Sequence, residues 1–190
     1  MPKSLAQLRA EVLSYCKDMG WYDEEVPFLQ AMCLLHEEAA EVGRAWRDWG
    51  LEDATVGVTP DKPMGAYNSK PQGVGGEMAD ILIRLLDDDA RYGLRLVEDY
   101  PKHHGQFAFF EEKDFLIAVN AMHRLIALAS SAWEDSSPAP EEAGSERHAL
   151  TRLLRYVVQM AAYYGIDLHA EYERKMRYNR NRPYRHGRRA

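Results

Sequence analysis

The chain has 190 residues, 46% hydrophobic and 28% charged, which is typical of a soluble globular protein and sufficient for one domain with a sizeable core. Its two cysteines, Cys16 and Cys33, form no metal-binding or redox motif, which excludes a disulfide-based scaffold and favours a reducing compartment. The sequence contains no signal-peptide pattern and no continuous apolar run of membrane-spanning length. We therefore expect a cytoplasmic protein with no membrane partner.

The spacing of apolar residues predicts a mostly helical, all-α chain. The predicted helices cover, in chain order, about residues 4–19, 28–48, 76–92, 112–133, 146–164 and a last segment from the N-cap Asp167 to just before Pro183. Residues 50–75 are rich in glycine and proline and are predicted to form a long loop, which in a compact domain usually covers or shapes a site. Residues 98–110 are predicted to be irregular, and no segment shows the alternation of a strand.

Two parts of the chain resemble each other. Residues 28–48 align without gaps to residues 115–135 at an offset of 87, with seven of 21 positions identical, namely Phe28/Phe115, Leu29/Leu116, Ala31/Ala118, His36/His123, Ala45/Ala132, Trp46/Trp133 and Asp48/Asp135. The next helices align at an offset of 72, where "ARYGLRL" at 90–96 matches "AYYGIDL" at 162–168. We predict two copies of a helix–loop–helix unit. The alternative is that two amphipathic helices align by accident of composition.

The two predicted copies differ at acidic positions. At the first offset, Glu37, Glu38 and Glu41 align with Arg124, Leu125 and Leu128; at the second, Glu77 and Asp80 align with Ala149 and Arg152. Because ordinary core residues occupy the aligned positions, the fold does not require these carboxylates. The acids of the first copy are therefore candidates for function.

Helical spacing predicts that the acids converge. Glu38 and Glu41, like Glu37 and Glu41, share one face of a helix, and Glu77 and Asp80 share a face of the helix expected to pack against it. Burying several unpaired carboxylates together is unfavourable, and a bound divalent cation relieves their repulsion. Oxygen ligands favour Mg²⁺ or Mn²⁺, which suggests metal-assisted attack of water on a phosphate ester or anhydride. The open alternatives are a solvated acidic face and neutralisation by Arg44 or Arg84.

The C-terminal part is basic, since residues 171–190 carry eight Lys or Arg against two Glu, whereas the whole chain has a net charge of −6. Lys175 and Asn179 are four apart on the last predicted helix, and Arg182 follows just beyond it. Such groups hold phosphate oxygens, which predicts a polyphosphate site or, less readily, a nucleic-acid arm. The alternative is that the helix dipole alone favours these cations at a C-terminus.

Several other chemistries lack their motifs in this sequence. No histidine has a glutamate three residues before it, as a ferritin-like di-iron bundle requires. The chain also has neither a His-Asp dipeptide, as in one class of phosphohydrolase, nor the glycine-rich loop of a P-loop nucleotide-binding protein.

The acidic motifs "EEAAE" at 37–41 and "EMAD" at 77–80 resemble the Glu-Glu-x-x-Glu and Glu-x-x-Asp pattern of MazG-type, all-α nucleoside triphosphate pyrophosphohydrolases. The ending "KMRYNRNRPYRHG" resembles the Lys-x-x-x-Asn segment of MazG-like proteins. The resemblance covers most of the chain and implies a single helical-bundle domain over residues 1–190. Within it, a catalytic repeat at about 21–97 would precede a degenerate repeat at about 112–168 and a phosphate-binding segment at 169–187.

The resemblance implies Mg²⁺-dependent hydrolysis of a nucleoside triphosphate between the α- and β-phosphates. By residue, it implies metal binding by Glu38, Glu41, Glu77 and Asp80, a catalytic role for Glu37 beside Glu38, and phosphate binding by Lys175 and Asn179. We extend phosphate binding to Arg182 because of its charge, and name Trp46 and Tyr178 as weaker candidates for stacking on the base. MazG-like units usually dimerise, so the resemblance is compatible with a homodimer or, alternatively, with a second copy that replaces the partner subunit.

Two departures from the family pattern keep alternatives open. The 35 residues between Glu41 and Glu77 exceed the usual gap, which makes the loop at 50–75 a special feature of this chain. The predicted duplication is similar to that of dimeric dUTPases, so a dUTPase or dCTPase specificity remains an alternative. A non-catalytic helical module with a nucleic-acid-binding tail is the alternative from a different class.

Overall fold

The computed structural model describes residues 3–51, 59–60, 69–102, 107–109, 111–135 and 145–184. The described chain forms seven α-helices: α1 (Leu5–Asp18), α2 (Phe28–Trp49), α3 (Val74–Tyr92), α4 (Leu96–Asp99), α5 (Phe115–Glu134), α6 (Glu146–Tyr163) and α7 (Leu168–Arg180). Short 3₁₀ turns cover Tyr100–Lys102 and Glu112–Asp114, and a two-residue antiparallel ladder pairs β1 (Thr59–Pro60) with β2 (Ser69–Lys70). The all-α prediction is confirmed, and this two-residue ladder is the one strand pairing among the described residues.

Local signals set most of the helix ends. At the start of α1, Ser4 Oγ accepts a hydrogen bond from the Gln7 amide while the Gln7 side chain accepts one from the Ser4 amide, which forms a capping box. The Asp167 side chain caps α7 by accepting from the Ala170 amide at 3.0 Å. Gly93, which ends α3, and Gly165, just after α6, have φ of +65° and +70°, a backbone conformation that favours glycine. These ends confirm the predicted boundaries within two residues.

Three local features differ from the sequence prediction. Helix α3 begins at Val74 rather than Gly76, and α5 begins at Phe115 rather than at about residue 112, after a 3₁₀ turn. Residues 96–102, predicted to be irregular from 98 onwards, form α4 and a 3₁₀ turn. The Asp89 carboxylate explains α4, because its oxygens accept from the Leu96 and Val97 amides at 2.7 and 3.4 Å. A cap supplied by a residue seven positions earlier is not visible to a search for neighbouring capping residues.

The core lies between four long helices. Helices α2, α3, α5 and α6 pack on one another, and α1 and α7 pack on α3. Their facing sides are apolar and fully buried, with Leu35, Leu85, Ile126 and Leu153 all without exposed surface. This arrangement places α3 at the centre, in contact with α1, α2, α6 and α7, so side chains from α2 and α7 can both reach it.

Residues that align between segments 28–48 and 115–135 make matching contacts. Phe28 stacks on Trp133 with ring centroids 4.2 Å apart, and Phe115, the residue aligned with Phe28, stacks on Trp46 at 5.7 Å. At the middle of both helices, the rings of the aligned pair His36 and His123 stack, with their Nδ1 atoms 2.9 Å apart. Helices α2 and α5 therefore run antiparallel about an approximate two-fold axis through the histidine pair.

The following helices continue the pattern. Tyr92 packs edge-on against Phe28 at 5.3 Å, and the aligned Tyr164 packs edge-on against Phe115 at 5.0 Å. The pair α2 and α3 and the pair α5 and α6 therefore make equivalent aromatic contacts.

One described helix, α5, is long and apolar enough to cross a membrane by length and composition alone. The sequence prediction did not identify α5 as a candidate membrane span, because it considered only continuous apolar runs and Arg124 interrupts this one. A core helix passes the same test, and α5 contributes Phe115, Met122 and Ile126 to the buried core.

Candidate active site

Three carboxylates converge between α2 and α3. One oxygen each of Glu38, Glu77 and Asp80 lies within 4.8 Å of the others. Glu77 is 4% exposed and sits in the first turn of α3, where the helix dipole favours a negative charge. Glu38 from α2 and Asp80 from the next turn of α3 are half-buried. The predicted convergence of acids from two helices is thus present for these three residues.

Two cations lie against these carboxylates. Arg84 Nε donates to Glu38 Oε1 at 2.8 Å. From α7, Lys175 Nζ donates to Asp80 Oδ2 at 2.5 Å and to Glu77 Oε2 at 3.3 Å. Three negative and two positive charges therefore share one small volume. Of the two arginines proposed from sequence as neutralising groups, Arg84 pairs directly with the cluster.

Burial and neighbouring charge set the ionisation of the cluster. Burial, followed by the Asp80 charge, raises the pKa of Glu38 above its ordinary value despite the opposing effect of Arg84. For Lys175, burial disfavours the charged form, but Asp80 and Glu77 together raise its pKa above the ordinary value. Lys175 is therefore an ammonium at neutral pH, fully enclosed with 1% of its surface exposed.

The packing of α7 on α3 determines where Lys175 can lie. A Cβ at Gly76 would stand 3.2 Å from Lys175 Cε, so glycine at this position leaves room for the lysine stem. Tyr172 and Met176, fully buried on the same helix, anchor this part of α7 in the core. The sequence placed Lys175 opposite the acids, across a bound phosphate, whereas the structure places its ammonium directly on two of them.

The remaining acidic candidates lie at the edge of the cluster or outside it. The Glu41 side chain is 35% exposed, 4.0 Å from Arg44, and does not belong to the group within 4.8 Å. Glu37 is exposed on the outer side of α2 and likewise lies outside that group. The structure therefore brings together three of the five acids singled out from sequence.

The other phosphate and base candidates have mixed surroundings. The backbone carbonyl of Asn179 accepts from the Tyr15 hydroxyl at 3.5 Å, and the Arg182 guanidinium lies 5.6 Å from the ring centre of Tyr178. Tyr178 itself is 7% exposed. Trp46, named from sequence as a weaker candidate for stacking on a base, instead packs between α2 and α5, where it stacks on Phe115.

Sequence reasoning missed one buried acid near this site. Asp88, two turns beyond Asp80 on α3, is 5% exposed, and its Oδ2 has no hydrogen-bond partner among the described residues. Burial, followed by the charge of Asp87, raises the pKa of Asp88 to about 7. The sequence alignment could have identified Asp88. The offset of 72 aligns it with Met160, so that an acid again occupies a position where the other half has a core residue.

The aligned location between α5 and α6 has no such cluster. Leu125 and Ala149, aligned with Glu38 and Glu77, are buried in the core, and Arg152, aligned with Asp80, is exposed. Tyr156, aligned with Arg84, donates its hydroxyl to the Ala118 carbonyl at 3.0 Å. Phe107 and Phe109 cover the Tyr156 ring at about 5 Å. The same architecture thus carries charge at one end and apolar packing at the other.

The donor set suits a hard divalent cation. Three carboxylates from two helices supply only oxygen, which is the ligand type of Mg²⁺ and Mn²⁺ rather than of zinc. A residual negative charge remains after Arg84 and Lys175 are counted, so a further cation is electrostatically favoured there.

Comparison of the chain with protein-family models, curated proteins and solved structures finds no match.

Proposed function

We propose that the protein is a Mg²⁺-dependent hydrolase of nucleoside triphosphates that yields the monophosphate and pyrophosphate. The convergence of Glu38, Glu77 and Asp80 carries this proposal, together with the absence of any acid at the aligned positions, which hold the buried Leu125 and Ala149 and the exposed Arg152. A fold that packs equally well without the acids retains them because they bind something. A cation with a polyphosphate fits their charge and their oxygen chemistry.

Glu38, Glu77 and Asp80 would hold the metal, with Glu41 reaching in from the neighbouring turn of α2. When bound, Mg²⁺ supplies charge neutralisation at phosphate oxygens and activation of water at neutral pH. Mn²⁺ has the same ligand preference and is expected to substitute for it.

Lys175 and Arg84 supply the positive charge that the chain itself contributes. Lys175 neutralises Asp80 and Glu77 in the absence of ligand, and its ammonium lies within the site where a triphosphate would bind. A phosphate oxygen can accept from the same ammonium, so Lys175 would exchange a carboxylate partner for a phosphate partner. Arg84 holds the Glu38 carboxylate in place through its Nε hydrogen bond. Asn179 and Arg182, one turn and two turns beyond Lys175, would bind the outer phosphates.

The reciprocal aromatic and histidine contacts support the finer part of the proposed fold, an internally duplicated bundle of the MazG and dimeric-dUTPase type. In that architecture the α5–α6 half is the degenerate copy, and the chain has a single active site. The duplication also keeps dUTP and dCTP as alternative substrates. A cytoplasmic location follows from the proposed substrate.

The decisive experiment incubates the purified protein with each of the eight common NTPs and dNTPs in MgCl₂ or in EDTA. Ion-exchange chromatography and ³¹P NMR then identify the products. We expect a monophosphate and pyrophosphate in MgCl₂ only, with the profile across the eight substrates deciding between broad and pyrimidine-restricted specificity.

Matched amide variants tie the activity to the cluster. Glu38→Gln and Asp80→Asn should abolish pyrophosphate release while the far-ultraviolet circular dichroism is unchanged. Glu98→Gln is the control, because Glu98 also pairs with an arginine, Arg9, but lies far from the site on the surface. Release of inorganic phosphate instead of pyrophosphate, or full activity in Glu38→Gln, would contradict the proposal.

A further inference from the structure

The outer surface of α2 and α5 carries an unusual amount of exposed apolar side chain. Leu29 on α2 is 40% exposed, and Leu116, Ile117 and Leu128 on α5 are 38%, 48% and 55% exposed. Among the described residues, α2 packs chiefly on α3 and α5, and α5 on α2 and α6, which leaves this side of both helices open. We call it the α2–α5 face.

The exposed positions form two matching stripes. Six exposed positions of α2, namely 29, 30, 33, 37, 40 and 44, align at the offset of 87 with six exposed positions of α5, namely 116, 117, 120, 124, 127 and 131. Leu128, next to this stripe on α5, is also exposed, whereas its aligned residue Glu41 is half-buried. The half-buried pair His36 and His123 lies between the stripes. The face is therefore approximately symmetric about its own centre.

Charge on the face is self-complementary. Next to the histidine pair, Glu37 on α2 and the aligned Arg124 on α5 are both exposed, and neither has an ion-pair partner in the part of the chain that the structure describes. One acid and one base at equivalent positions of a face can each pair with the opposite residue of an identical face. Isologous interfaces have this reciprocity.

We propose that the α2–α5 face is a homodimer interface, in which a two-fold axis parallel to the helices brings α2 of one protomer against α5 of its partner. Because α2 and α5 run antiparallel with residues 36 and 123 level, this operation sets Glu37 opposite the partner's Arg124, and Arg124 opposite the partner's Glu37. It also sets Leu29 beside the partner's Leu128. The proposal concerns a surface and does not depend on the proposed hydrolase activity, although it gives Glu37 a role outside the metal cluster.

The size of the face is compatible with a specific dimer. Helices of 22 and 20 residues at 1.5 Å per residue, packed side by side, present a footprint of about 600 Å² per protomer. The total of about 1,200 Å² is at the lower end of specific interfaces and above most crystal contacts. Four exposed aliphatic side chains around a central charged pair give the apolar surface that such an interface needs.

Sedimentation velocity over a range of protein concentrations tests the oligomeric state. We expect a reversible dimer for the native chain and a dissociation constant raised by about a hundredfold in Leu128→Glu, which puts a charge into the apolar part of the interface. Single charge reversals place like charges opposite each other twice per dimer, so Glu37→Arg and Arg124→Glu should each raise the dissociation constant about tenfold or more. The double variant Glu37→Arg/Arg124→Glu restores both pairs and should return to within about threefold of the native value.

Arg152→Glu, a reversal of an exposed charge on α6 away from this face, is the matched control and should leave the dimer unchanged. A monomer at all concentrations would overturn the proposal, as would a dimer whose dissociation constant does not respond to the single reversals. Failure of the double variant to recover would also overturn the pairing. Because α5 is apolar enough to meet lipid, co-flotation with phosphatidylcholine–phosphatidylglycerol vesicles by a protein that stays monomeric would assign the face to a membrane instead.

Discussion

Replacing Lys175 with methionine would remove a buried charge from the carboxylate cluster without removing the side chain that fills the space beside Gly76. In the native chain the ammonium is 2.5 Å from Asp80 and 3.3 Å from Glu77, and it is almost completely enclosed. Lys175→Met keeps an unbranched stem of similar length, so the change in stability reports chiefly on charge. Glu77 and Asp80 then face each other and Glu38 without the ammonium, while Arg84 still pairs with Glu38.

The expected loss is large for a single substitution. Removing one partner of a buried ion pair destabilises a protein by about 3–5 kcal/mol. Since 20% of the Asp80 side chain is exposed, water can solvate part of the stranded charge, and we expect a loss of about 3 kcal/mol. For a chain of 190 residues, this corresponds to a fall in Tm of about 6–12 °C in EDTA.

Magnesium should rescue the variant more than it stabilises the native chain. Binding at a hundred times Kd adds about 2.7 kcal/mol to a native state. In the native cluster Mg²⁺ must displace the Lys175 ammonium from Asp80 and Glu77, whereas in the variant no ammonium competes for these oxygens, so the Mg²⁺-induced rise in Tm should be larger for Lys175→Met. Calorimetric titration with MgCl₂ should likewise show tighter Mg²⁺ binding by Lys175→Met than by the native chain.

Lys113→Met is the control for the loss of a lysine charge. Lys113 pairs with Glu111 at 3.0 Å, but their side chains are 74% and 76% exposed, so its replacement should change the free energy of unfolding by less than about 1 kcal/mol. If Lys175→Met is as stable as the native chain in EDTA, or if Mg²⁺ stabilises it less than the native chain, the ammonium is not balancing these carboxylates and the reasoning fails.

Three further predictions concern the same structure. Glu38→Leu, which introduces the residue found at the aligned position 125, should abolish nucleotide hydrolysis while leaving the Tm in EDTA equal to or above the native value, because it relieves crowded negative charge. Burial lowers the pKa of His36 and, together with His36, that of His123, so the stability contributed by this pair is lost as pH drops below about 6.5. The free energy of unfolding of His36→Gln relative to the native chain, measured in urea, should therefore rise as pH is lowered from about 7 to 5. Burial and Asp87 raise the pKa of Asp88 to about 7, so the contribution of this carboxyl becomes less favourable as pH rises from about 4 to 7. Asp88→Asn should therefore be more stable than the native chain by an increment that grows from pH 5 to pH 8, measured as the difference between the two urea titrations.

Much of the fold follows from local patterns in the sequence. Ser4, Asp167, Gly93 and Gly165 mark helix ends through caps and turns that involve only neighbouring residues, and the structure places the ends accordingly. The convergence of Glu38 with Glu77 and Asp80 was also predictable. Carboxylates at helical spacing on consecutive packed helices can meet only if both helices turn those faces toward each other, and the apolar residues around them fix those faces.

What the sequence could not predict depends on contacts between distant residues. The partner of Lys175 is decided by how α7 lies on α3, and nothing near residue 175 specifies a helix 95 positions earlier. Whether Arg44 or Arg84 would neutralise the acids likewise depends on side-chain direction: Arg84, on α3, reaches Glu38, while Arg44, on the same helix as Glu41, remains 4.0 Å from it. The Asp89 cap on α4 was missed for the same reason.

The two halves of the chain together separate what the fold needs from what the site needs. Both halves have the aromatic contacts of Phe28 and Phe115 and the glycine after the second helix, so these features belong to the packing that the two halves share. Only one half keeps the acids, at the energetic disadvantage of three carboxylates within 4.8 Å of one another and of a buried lysine that has to balance them. The aligned leucine and alanine show that this disadvantage is avoidable in the same architecture. The presence of the acids between α2 and α3, despite this disadvantage, is the strongest reason to regard the cluster as a binding site rather than as part of the packing.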